Sequence, residues 1–219
     1  MGKISTRVYI IAGILTALVF LGGVSLGWFL DYNRVYTVES QMNSLQLDFQ
    51  NLQLENLFIS ALGNNSTCSL YSGKAVSLSA QTDKLASDLD DFSNINQFQA
   101  DTLANVKKRY TLLNLEFWMQ LTNLQKTCGY NATTLLYFYT VDPNRPCDEC
   151  VAQGLVLDAM KKQAPEKMMI FAVDYNLDLG IVKALITTYN ITSTPSIIVN
   201  SDMVVKGFAN QSALGKYLK

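Results

Sequence analysis

Residues 146–150 read Pro146-Cys147-Asp148-Glu149-Cys150, between a β-rich apolar run, Thr134 to Thr140, and an amphipathic stretch, Asp148 to Gln163. This position gives the two cysteines their chemistry. A cysteine at a helix N-terminus faces backbone N–H groups without helical partners and the positive end of the helix dipole, and both favour thiolate. The second cysteine, one turn later, is close enough to attack a mixed disulfide formed at the first. Asp148 and Glu149 act in opposite senses, because carboxylates in a first turn stabilise the helix but repel a neighbouring thiolate. At an assumed ~7 Å, one such charge costs about 0.6 kcal/mol in water and about 2.4 kcal/mol at an effective dielectric of about 20. A less stabilised thiolate means a less oxidising disulfide, which favours a reductase or isomerase over an oxidase.

Two plainer readings of C-x-x-C are half a zinc site and an inert disulfide. Zinc requires two more ligands, and the chain contains no histidine. Cys68 and Cys128 stand at spacings unlike a second zinc knuckle, so neither a metal nor any other cofactor is expected.

Working outward, short apolar runs alternate with amphipathic stretches, each boundary carrying a turn signal. Thr134 to Thr140 predicts a strand, Asp148 to Gln163 a helix, Lys167 to Asp174 a strand and Leu177 to Tyr189 a helix. Ser196 to Asn200 and Met203 to Phe208 follow as strands joined by a tight turn at Ser201-Asp202, with a closing helix over Gln211 to Leu218. The order β-α-β-α-β-β-α predicts an α/β domain with a mixed four-stranded sheet, since a strand-helix-strand unit favours parallel pairing and a tight turn an antiparallel hairpin.

With the run Tyr189-Asn190-Ile191-Thr192-Ser193-Thr194-Pro195-Ser196-Ile197-Ile198-Val199 in place, residues 132–219 resemble the thioredoxin superfamily. The resemblance implies that Cys147 is the nucleophile and Cys150 the resolving thiol. It also implies that Pro195 is a cis-proline and that the backbone of Thr194 pairs with an extended substrate peptide. The chain departs from the family in several places. Pro146 replaces the usual tryptophan before the nucleophile, and the first strand offers no buried acid among Leu135, Leu136, Tyr137, Phe138 and Tyr139. Proton transfer to Cys150 is then left to water or Glu149. Thr194 before the proline is closer to exported Dsb-type and protein disulfide isomerase-type members than to cytosolic thioredoxin. The family's additional N-terminal strand and helix are replaced by a helical region.

That region has a different grammar. Between Asp31 and Cys128 there is no proline, and the only glycines are Gly63 and Gly73. Val38, Met42, Leu45, Phe49, Leu52 and Ile59 recur at intervals of three and four, with Asn56 in the remaining slot, forming a heptad-like stripe. A second helix is expected from about Lys74 through Leu85, Leu89 and Phe92, and a third carries Leu103, Val106, Tyr110, Leu113, Phe117, Leu121 and Leu124, after a break near Asn94 to Asn96. An antiparallel helical stalk or small bundle is expected, and its stripes suit packing within one chain or a homodimer. Cys68 and Cys128 fall at the same end of this hairpin, which suits a structural disulfide; a second redox pair relaying electrons to Cys147 and Cys150 is the alternative.

Residues Val8 to Leu30 contain no charged side chain. At about 1.5 Å per residue they reach roughly 34 Å, enough to cross a hydrocarbon core of about 30 Å. Lys3 and Arg7 precede this span while Asp31, Arg34 and Glu39 follow it, so the N-terminus is expected in the cytoplasm and the remainder outside. A signal-peptide h-region is shorter, and the apolar run continues through Trp28, Phe29 and Leu30. The expected organisation is 1–31 cytoplasmic tip and anchor, 32–130 helical stalk and 131–219 thioredoxin-like domain. Asn64, Asn65, Asn131, Asn190 and Asn210 begin sequons, which suit an exported chain.

The lack of histidine excludes Ser-His-Asp and Cys-His catalysis by this chain, and a net charge of −1 without a basic run excludes a nucleic-acid surface. The expected function is disulfide exchange with exported cysteine-containing proteins by a bilayer-anchored enzyme that is reset by a membrane redox partner. A non-catalytic peptide-binding module or an assembly subunit of a membrane complex is the alternative.

Overall fold

The computed structural model describes residues 6–62, 68–95, 100–142 and 146–218. Lys3, Gly63, the sequons at Asn64 and Asn65, and Pro143 lie outside them. Contacts divide the chain into two units, Met1–Gln41 and Met42–Lys219.

In the first unit, helix α1 (Thr6–Leu62) contains the stretch Tyr9–Phe29, 21 residues with a mean hydropathy of 2.2, none of it buried inside the protein. Apolar length without protein cover makes this segment long enough to cross a membrane.

The second unit begins within the same helix. From Met42 onward α1 buries Met42, Leu45, Phe49, Leu52, Asn56 and Ile59, one stripe at the expected three-four spacing. Helix α2 (Cys68–Ile95) begins six residues before the expected start near Lys74, with Gly73 exposed inside it. Helix α3 (Ala100–Cys128) runs parallel to α1. Asn43 pairs with Arg109 at 2.8 Å, Phe49 stacks on Phe117 at 4.9 Å and Asn56 donates to Gln120 at 2.8 Å, so positions rise together along both helices. Helix α2 joins them from the opposite end, where Cys68 and Cys128 form a disulfide with a Cα–Cα distance of 5.6 Å.

Strands β1 (Thr133–Tyr139), β2 (Met168–Asp174), β3 (Ser196–Val199) and β4 (Met203–Lys206) form one sheet in the order β2-β1-β3-β4. β1 pairs parallel with β2 and antiparallel with β3, and β3 pairs antiparallel with β4. The sheet is therefore mixed and four-stranded, as expected. β1 and β3 read as nearly continuous apolar runs because they are interior strands, buried on both faces, whereas β4 is a partly exposed edge. Helices α4 (Asp148–Gln163), α5 (Gly180–Thr188) and α6 (Gln211–Gly215) complete the order β-α-β-α-β-β-α.

The hairpin differs by one residue from its sequence reading. Its turn centres on Asn200 and Ser201, both at positive φ (49° and 62°), and the N–H of Asp202 closes back on the carbonyl of Val199 at 3.1 Å. Consecutive left-handed residues match the twist of the flanking strands, and asparagine adopts that conformation more readily than most residues.

The helices do not stand clear of the sheet. Phe117 of α3 stacks on Phe49 on one side and meets Phe171 of β2 edge-on at 5.6 Å on the other, which explains why α3 is buried over more than one face. Lys161 of α4 donates to Ser79 of α2 at 3.0 Å and to the carbonyl of Met168 at 2.8 Å. Helical region and sheet thus form one compact body from Met42 onward.

Candidate active site at the N-terminus of helix α4

β1 ends at Tyr139, and the chain then reaches Pro146 and enters α4, for which Cys147 is the N-cap. The N–H of Cys150 lies 3.2 Å from Cys147 Sγ and 3.0 Å from its carbonyl oxygen, so the first sulfur occupies a side-chain capping position. Cys147 and Cys150 form a disulfide with a Cα–Cα distance of 5.1 Å. Cys147 is half-buried and Cys150 is 5% exposed, so the first cysteine is the more exposed residue of the two. Asp148 and Glu149 are exposed in the first turn, where their charges complement the helix dipole.

Tyr137 holds this turn from below. Its hydroxyl donates to the carbonyl oxygen of Cys150 at 2.6 Å, and its ring stacks on Tyr139 at 5.7 Å. Burial, with the neighbouring Tyr139 adding to it, pushes the Tyr137 phenol up to about 12, which keeps it a donor across the physiological range. One turn further, the buried amide of Gln153 makes a reciprocal pair with the backbone of Ala209, donating at 3.1 Å and accepting at 2.7 Å.

The peptide bond between Thr194 and Pro195 is cis. β3 starts at Ser196, which pairs with Phe138 near the C-terminal end of β1, so Pro195 and the entrance to α4 lie at the same end of the sheet. Pro195 is buried and its carbonyl accepts from Gly207 N–H at 2.9 Å, while Thr194 is half-buried just outside the strand ladder.

A cleft of about 650 Å³ opens beside the disulfide, lined by Pro146, Cys147, Asp148 and Cys150 on one side and by Leu89, Lys107 and Tyr110 of the helical region on the other. Tyr137, Tyr139, Asp142 and Asp174 also line it. Burial raises the Asp174 carboxyl above its usual range, against the lowering effects of the Asn176 N–H at 2.9 Å and of Lys107. Glu149 does not line this cleft, whereas the half-buried acids Asp142, after β1, and Asp174, at the end of β2, both do. Cys68 and Cys128 do not line it either. No group of three or more metal-ligating side chains occurs among the described residues.

None of Tyr137, Asp174, Lys107, Tyr110 and Gln153 is a site residue by the sequence reading, in which Tyr110 belongs to the apolar stripe of the third helix. An acid closing the apolar run Met168 to Val173 is a usable signal for Asp174. Lys107 and Tyr110 carry no such signal, because only the packing of α3 against the sheet brings them to the cysteines.

No protein-family model and no curated protein matches this chain. A solved structure titled "Structure of a malarial protein" is similar to it at 20% identity, over 40% of this chain and 93% of that one, with a TM-score of 0.32. A likeness of that size carries no argument about fold or function.

Proposed function

We propose that the chain is a membrane-anchored thiol-disulfide oxidoreductase whose residues 131–219 form a thioredoxin-like domain. Cys147 is the attacking thiolate and Cys150 the resolving thiol. The observation that carries this reading is the Cys147–Cys150 disulfide at the N-cap of α4, with the first cysteine half-buried and the second buried one turn inside the helix. The sheet order β2-β1-β3-β4 and the cis Thr194–Pro195 bond at the same sheet end support it. Pro195, with the backbone of Thr194, is then where an extended client segment docks.

In the reducing direction, Cys147 thiolate attacks a client disulfide, forming a mixed disulfide and expelling one client thiolate, which takes up a proton. Cys150 thiolate next attacks Cys147 Sγ, releasing the second client thiol and leaving the intramolecular disulfide. The client gains two electrons and the dithiol loses two. A membrane redox partner on the same side returns them. The apolar stretch Tyr9–Phe29 anchors the chain with its N-terminus in the cytoplasm, and the clients are exported cysteine-containing proteins.

Replacing Cys150 by alanine removes the resolving thiol. The variant is expected to accumulate covalent client complexes on non-reducing gels, and additional replacement of Cys147 is expected to abolish them. A Cys150→Ala protein that traps nothing, together with a wild-type chain that neither reduces nor forms disulfides in a model substrate, refutes the enzyme reading in favour of a peptide-binding module.

A further inference from the structure

The stripe Met42, Leu45, Phe49, Leu52, Asn56 and Ile59 of α1 is buried within the chain and so is not free to pair with a second copy. The same helix carries another stripe on its opposite side. At about 100° per residue, Leu47, Asn51, Leu54 and Phe58 stay within about 60° of one another and stand roughly 180° from the buried stripe. All four are exposed, Leu47 at 68% and Leu54 at 66%.

Charge is absent from this face. The exposed residues from Asn43 to Phe58 are all uncharged; the two acids in that stretch, Asp48 and Glu55, are half-buried, and Glu55 pairs with Lys74 at 2.7 Å. A helix lying on a lipid surface would show a broad apolar face edged by lysine or arginine, and residues 42–62 contain neither. The four residues instead follow the four-three-four spacing of a narrow coiled-coil seam, with Leu47 and Leu54 at d and Asn51 and Phe58 at a.

We propose that this seam pairs two membrane-anchored copies of the chain as a parallel homodimer. The second copy is the occupant because the face is self-complementary. Leucine at d with one asparagine at a suits parallel two-stranded pairing, and an amide that both donates and accepts can bond its own copy across a two-fold axis. In that arrangement Asp48 and Glu55 fall at e, opposite the uncharged Asn43 and Gln50 of the second copy, so no like charges meet. From Leu47 to Phe58 the seam runs roughly 18 Å at about 1.5 Å per residue, shorter than the ~20–30 residues a side of a standard interface. Anchoring through Tyr9–Phe29 offsets this, because it holds copies in one plane and one orientation and so raises their effective concentration. The inference does not depend on the exchange chemistry of Cys147 and Cys150.

The test uses the full-length chain in phosphatidylcholine liposomes, labelled at the N-terminal amine with a donor or an acceptor dye, and follows energy transfer as the protein-to-lipid ratio rises. Wild type is expected to dimerise. The double variant Leu47→Glu, Leu54→Glu is expected to need at least about tenfold more protein per lipid for half-maximal pairing. Gln46→Glu with Gln53→Glu adds the same charge on exposed positions outside the seam and is expected to pair as wild type does. Because the replaced leucines are exposed, both variants are expected to keep the wild-type melting temperature. In a Cys147→Ala, Cys150→Ala background, where no exchange rearranges new thiols, copper-phenanthroline is expected to link Asn51→Cys copies much faster than Gln53→Cys copies.

Energy transfer no greater than chance proximity at every density overturns the dimer. Pairing that survives in Leu47→Glu, Leu54→Glu overturns the seam and assigns the contact to the apolar span. Equal weakening by Gln46→Glu with Gln53→Glu also overturns it, as an effect of charge alone, and so does equal linking of Asn51→Cys and Gln53→Cys. Monomers whose Asn51→Cys thiol is shielded from a water-soluble maleimide overturn it in favour of a face covered by lipid.

Discussion

Replacing Gln153 by leucine isolates what holds α4, and with it the disulfide, against the sheet's far loop. The side chain is fully buried, and its amide is bonded to both backbone groups of Ala209, at 3.1 Å and 2.7 Å. Leucine fills a similar volume but offers neither donor nor acceptor. Ala209 is itself 5% exposed, so water does not readily replace the lost partners. Two unmade bonds to buried backbone groups cost about 1–3 kcal/mol each, or about 2–6 kcal/mol together. Burying a leucine returns about 1.5–3 kcal/mol, so the unmade bonds win by about 2 kcal/mol at the centre of these ranges. Urea unfolding of the full-length protein in detergent, followed by the fluorescence of the buried Trp118, measures the difference. Gln163→Leu, on the exposed side of the same helix, is expected to stay within about 0.5 kcal/mol of wild type. A Gln153→Leu loss no larger than that of Gln163→Leu refutes the reasoning, and a gain in stability refutes it outright.

Three further outcomes follow from other parts of the chain. Opening the Cys68–Cys128 bond by a double alanine replacement releases a loop with a sequence separation of 60, for which chain entropy sets a limit of about 4 kcal/mol. A measured loss of about 2–4 kcal/mol with Cys147 and Cys150 still exchanging is expected, and loss of exchange without loss of stability points instead to an electron relay. Because burial raises the folded-state pKa of Asp174, its contribution to stability is full below the unfolded value of 3.8 and is lost as pH rises through the folded value. Asp174→Asn is therefore expected to flatten the change in melting temperature between about pH 4 and about pH 7, and an unchanged profile refutes the assignment. Protease added to right-side-out vesicles is expected to digest the chain beyond Asp31, and complete protection reverses the orientation.

Local chemistry was legible without a structure wherever it depends on residues close in the chain. The 23 uncharged residues from Val8 to Leu30 declare their length and apolarity directly. The helix over Asp148 to Gln163 was read to the residue, because two carboxylates open it and two lysines close it. The mixed sheet followed from connection lengths: a helical crossover favours parallel β1 and β2, and a tight turn over Asn200 to Asp202 favours antiparallel β3 and β4. Even there the turn fell one residue early, since Asn200 and Ser201 are chosen by backbone twist.

What only the tertiary structure decided is how the helical region relates to the cysteines. Periodicity identified Phe117 as an apolar position but could not name its two partners, Phe49 on α1 and Phe171 on β2. A helix pattern marks which face is buried and carries no information about which element buries it. For the same reason Lys107 and Tyr110 looked like ordinary residues of a stalk, 40 and 37 positions from Cys147, until packing made them the wall of its cleft. Sequence spacing placed Cys147 and Cys150 on one helical turn, whereas their surroundings depend on contacts across long loops, which only the folded core selects.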